Sequence, residues 1–84
     1  MSMRSRKLPP DPDQMNDDRS EWAQAALSAF IVETRTDKED AVADLLADLM
    51  HWCDRNKLEF DHELNRARDH YRAETGGPDL PFTA

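Results

Sequence analysis

The sequence predicts an all-α fold: a three-helix domain in which a helical hairpin is covered by an N-terminal helix. Two observations carry that prediction. Apolar side chains recur at three- and four-residue spacing in three segments, and no segment alternates as a half-buried strand would. The segments also open on Asp or Thr residues suited to helix starts, and the last closes on Gly76, Gly77 and Pro78.

The elements follow in order. Residues 1–16 hold three prolines and few large apolar side chains, which predicts a flexible basic arm. Asp18 then reads as an N-cap, with Glu21 completing a capping box and Asp17 adding favourable charge, so a first helix is expected over about 19–34. Ala23, Leu27, Phe30 and Ile31 form its core stripe, with Trp22, Ala26 and Ala29 beside it. Thr36 and Glu39 form a second capping box ahead of a helix over about 37–55, whose stripe is Val42, Leu45, Leu46, Leu49, Trp52 and Cys53. Asn56 is expected as a left-handed C-cap. Asp61 caps the third helix, which buries Phe60, Leu64, Ala67 and Tyr71. The folded domain is expected over residues 17–76, and residues 77–84 form a tail.

Size and charge bound the function. A chain of 84 residues supports one small core, so a homodimer or a bound partner is expected to add stability. Arg4, Arg6 and Lys7 are basic, but residues 8–84 hold all 18 acids against 8 bases. Nucleic-acid binding by such a domain is disfavoured, while cationic partners, metal ions or imitation of nucleic acid are favoured. No segment has the ~18 apolar residues of a membrane span, and the basic start is followed by LPPDPDQ and by no signal-peptide core. One cysteine, Cys53, forms no internal disulfide and no zinc cluster, in keeping with a cytoplasmic protein. On the apolar stripe it reads as a small buried hydrophobe.

The second helix carries an aspartate ladder, Asp40, Asp44 and Asp48, in which each like-charge pair repels by about 0.2–0.5 kcal/mol. With His51 it reads as lying opposite Leu45, Leu49 and Trp52, a solvated acidic face. A sharper reading makes Asp44, Asp48 and His51 metal ligands, because Asp48 and His51 have the carboxylate-x-x-His spacing of helical di-metal proteins and magnesium takes oxygen ligands. Trp22 and Trp52 are expected in the core of so small a domain. Exposed, an acid-flanked Trp52 with Met50 beside it would anchor a protein partner, as would Leu80 and Phe82 of the tail.

The stretch ADLLADLMHWCDRNKLEFDHELNRARDHY, about a third of the chain, resembles the last two helices of MazG-type all-α nucleotide pyrophosphohydrolases. Their chemistry uses Glu-x-x-Glu or Glu-x-x-Asp pairs on adjacent helices to hold magnesium against a nucleoside triphosphate. The resemblance implies that Asp44 matches the Asp of the second pair. Ala41 stands at the matching Glu, and the first helix has no Glu-x-x-Glu. The segment DLLADLMHWCDRN is also similar to short, uncharacterised helical proteins of bacterial genomes, which implies a bacterial origin.

Three functions follow as expectations. The leading one is a non-enzymatic interaction module that binds another protein, regulatory or inhibitory in effect, with DNA mimicry as a special case because one helical turn rises about 5.4 Å. Its contacts are Asp40, Asp44, Asp48, Met50, Trp52, Leu80 and Phe82, and it needs no cofactor. The second is a minimal magnesium-dependent hydrolase resting on Asp44 and Asp48. The third is a nucleic-acid accessory protein using the basic arm.

Overall fold

Three stretches free of glycine and proline become the three helices. The computed structural model describes residues 7–76: α1 (Asn16–Thr34), a short 3-10 turn (Lys38–Asp40), α2 (Ala41–Arg55) and α3 (Phe60–Glu74), with no strand among the described residues. α2 packs against both α1 and α3, so it is the central element of the expected hairpin and its covering helix.

The helix ends differ from expectation in ways that local hydrogen bonds explain. α1 begins three residues early, because Asp13 Oδ1 accepts the Met15 N–H at 3.2 Å and Asp11 Oδ1 accepts the Asn16 N–H at 3.3 Å. Asp17 and Asp18 instead occupy the first turn, where the helix dipole favours negative charge. The helix stops at Arg35, which is left-handed (φ 59°) and donates its N–H to the Ile31 carbonyl at 2.7 Å. Neither Thr36 nor Asp61 caps its helix through a side-chain bond. At the end of α2 it is Lys57 that is left-handed (φ 62°), while Asn56 has φ −117° and donates its side-chain amide to the Trp52 carbonyl at 2.8 Å. The Leu58 N–H then donates to the Cys53 carbonyl at 3.0 Å, the six-residue closure of a Schellman end.

A polar junction joins the start of α1 to the end of α3. The Asn16 amide donates to the Glu74 carbonyl at 2.9 Å across 58 residues of sequence. Arg19 donates to both carboxylate oxygens of Asp13 at 3.1 and 2.8 Å, to Asn16 Oδ1 at 2.6 Å, and lies 3.5 Å from a Glu74 carboxylate oxygen. These contacts pin the residues before α1 as well, so residues 7–15 of the expected arm carry a turn at Asp11–Gln14 and lead directly into the helix.

The core is smaller than the three stripes predict. Ala41 and Cys53 are buried, as expected for Cys53, while Leu27, Phe30, Ile31, Leu45, Phe60 and Leu64 are half-buried. No large side chain is fully buried among the described residues. Val42, Leu46, Leu49 and Trp52 of the expected α2 stripe are exposed, as are Ala67 and Tyr71 of α3. The reason is geometric: α1 and α3 leave most of the α2 surface exposed, and the molecule measures only 22 Å in its thin direction, about two helix diameters. Its radius of gyration, 15.2 Å, exceeds the roughly 11–12 Å of a compact domain of this length.

Two stability measurements check this account. A β-carbon at a left-handed residue is strained, so Lys57→Gly is expected to raise stability by about 0.5–1 kcal/mol, several degrees in thermal midpoint, whereas Lys57→Val lowers it. The Arg19 guanidinium, by hydrogen-bonding Asp13, holds its carboxyl below the ordinary 3.8. A depressed folded value means that the ionised carboxylate stabilises the fold fully above 3.8, and that this contribution is lost as pH falls through the folded value. The midpoint difference between wild type and Asp13→Asn should therefore stay constant from about pH 7 to 5 and narrow below 3.8. A difference that persists in strong acid would remove the ion pair from the explanation.

Candidate functional site

Each residue of α2 advances about 100° around the axis, and this rotation sorts its side chains into distinct sides. Asp40 ends the 3-10 turn and stands at the N-cap of α2, with no side-chain cap bond. Asp44, in the first turn, accepts the Thr36 hydroxyl at 3.0 Å, which ties the α1–α2 connection to the helix. Thr36 thus serves α2 through its side chain, at a residue other than the one the capping box implied. Asp48 is exposed, and none of the three aspartates makes a salt bridge among the described residues.

Two readings of the ladder are corrected by rotation. Asp48 lies about 40° from Trp52 on the next turn, and therefore beside it and not opposite. Met50 and Trp52, two residues apart, stand about 160° from one another and cannot share a patch. Trp52 is 53% exposed and Trp22 is 61% exposed, so neither is a core residue. α1 is apolar on two sides, and the side carrying Leu27, Phe30 and Ile31 is the one half-buried, which leaves Trp22, about 140° round from Leu27, in solvent.

The result is a defined acidic edge. Asp44, Asp48 and Trp52 follow one another along one side of α2, with Arg55 at its end donating to the His51 carbonyl at 3.1 Å. Asp44, Asp48 and His51 share this side, but Asp44 and His51 are about 10.5 Å apart along the axis. Among the described residues, no three His, Cys, Asp or Glu side chains gather into a group that could hold a metal ion. Leu80 and Phe82, and the arm residues Arg4 and Arg6, lie outside the described residues.

A second surface was not anticipated as one. Val42, Leu46, Leu49 and Met50 are all exposed and form an uncharged side of α2 centred near Leu46, about 160° from Asp44 and Asp48, with the buried Cys53 at its far end and Asp54 about 40° round from Met50 at its margin. Its signal was present in the sequence: four large apolar residues at helical spacing beyond what a single covering layer can bury. Between α1 and α2 this side opens into a groove of about 330 Å³ lined by Ala23, Leu27, Val42, Leu45 and Leu46 with Ser20 and Gln24, and no charged side chain lines it.

What the fold and its surfaces define is a small acidic three-helix protein with an acidic, Trp-bearing edge and an uncharged helix face. Comparison with protein-family models, with curated proteins and with solved structures gave no match.

The Thr36 bond separates the aspartates by experiment. Asp44→Ala is expected to cost about 0.5–1.5 kcal/mol in unfolding free energy, because it removes the hydroxyl's acceptor. Asp44→Asn, which keeps an acceptor, and Asp48→Ala, which has none to lose, should each stay within about 0.5 kcal/mol of wild type. Equal losses in Asp44→Ala and Asp48→Ala would show that the bond contributes nothing.

Proposed function

We propose that this chain is a non-enzymatic interaction module that binds another protein through the acidic edge of α2, with Trp52 as its apolar anchor. The observation that carries the reading is the juxtaposition of a half-exposed tryptophan with Asp48 one turn away and Asp44 a turn beyond. Tryptophan supplies large contact area with little entropy to lose, and carboxylates around it select a basic surface and speed its approach. Asp40 extends the same charge toward the start of the helix. The partner this chemistry fits is a protein presenting an apolar pocket rimmed by Lys or Arg.

The reading is tested with the full chain immobilised as bait. A basic protein captured at about 0.15 M salt should be lost on Trp52→Ala by roughly 30-fold in affinity, the scale of a hot-spot residue, and should bind more slowly to Asp48→Lys. Capture that is indifferent to both substitutions overturns the assignment of this edge.

A further inference from the structure

We infer that the uncharged side of α2 is the contact between two copies of this chain. The monomer leaves Val42 59%, Leu46 43%, Leu49 40% and Met50 48% exposed on one helix side, while no large side chain anywhere in the described residues is fully buried. The apolar surface a three-helix domain normally hides is therefore present but outward. Ala43, about 20° round from Met50 at the edge of this side, leaves room for a second helix to approach.

Charge chooses the occupant. A chain of net charge −7 repels its own copy wherever acids face acids, and a two-fold contact sets the same patch of both copies face to face. This side of α2 keeps Asp44 and Asp48 about 160° away from its centre and Asp54 about 80° away at its C-terminal margin, and the groove it shares with α1 holds no charged residue. A basic partner would gain nothing here from the acidic edge; a second copy needs the acids away from the centre of the contact, as they are. Size agrees: the α1–α2 pair presents a face about 22 Å long and 20 Å wide, on the order of 450 Å² in plan before side-chain relief is counted, the scale of the ~600–1,000 Å² per partner in a standard interface. Pairing α1 and α2 with their twins gives a four-helix layer, with the two acidic edges pointing outward.

This inference stands apart from the reading of the acidic edge, and one experiment separates them. Sedimentation equilibrium of the full chain from about 5 to 300 μM at 0.15 M salt is expected to give twice the 9.7 kDa chain mass at the upper concentrations. Leu46→Glu and Val42→Glu should shift it to the single-chain mass with far-UV helicity retained, while Trp52→Ala and Asp48→Lys leave it dimeric. Val42 is 59% exposed, about 40° from Leu46, and in the first turn of α2, where the helix dipole favours Glu, so it decides the matter if Leu46→Glu unfolds. A wild type that stays at the single-chain mass throughout, or a Val42→Glu chain that remains dimeric, overturns the inference.

Discussion

Incomplete burial of α2 is the constraint on which the rest of the molecule depends. α2 touches both other helices, and the buried Ala41 and Cys53 both belong to it. Every other apolar contact is partial, so the polar junction at the far ends of α1 and α3 matters more than surface polar contacts usually do. Asn16, Arg19, Asp13 and Glu74 hold together the two termini of the helical layer that α2 alone would leave splayed.

From that constraint follows a division of labour around a single helix. α2 meets both α1 and α3, one edge carries carboxylates and Trp52, and Val42, Leu46, Leu49 and Met50 form an exposed uncharged side. The aspartate ladder, costly as a run of like charges, becomes intelligible in parts. Asp40 sits at a helix start, where the dipole favours it, Asp44 receives the Thr36 hydroxyl, and Asp48 alone is left without an intramolecular role. We read Asp48 as the residue placed for a partner, beside the tryptophan that would anchor it.

Much of the fold was legible in the sequence because helical periodicity and the absence of strand alternation are local signals. The three helices lie close to where spacing placed them, and Cys53 is buried as its position on the stripe required. Helix starts were less legible: Thr36 and Asp61 have the right chemistry for caps, but backbone geometry selected Asp11 and Asp13 at one start and no side chain at the others. Burial was the least legible. Periodicity identified Val42, Leu46, Leu49 and Trp52 as a stripe, yet how much of a stripe is covered depends on how many layers pack over it, and no residue of α2 reports that number. The acidic edge needed only the corrected rotation that sets Asp48 beside Trp52 and moves Met50 to the opposite side.

The central claim is that this chain completes its apolar burial by associating through α2. The thermal midpoint of the full chain, followed over a hundredfold range of protein concentration, tests it most directly, since a bound second copy at about 100 times its dissociation constant adds about 2.7 kcal/mol. The account predicts a midpoint that climbs by several degrees across that range, with no such climb in Val42→Glu. A wild-type midpoint independent of concentration would contradict it and would make the thin, half-buried monomer the complete structure.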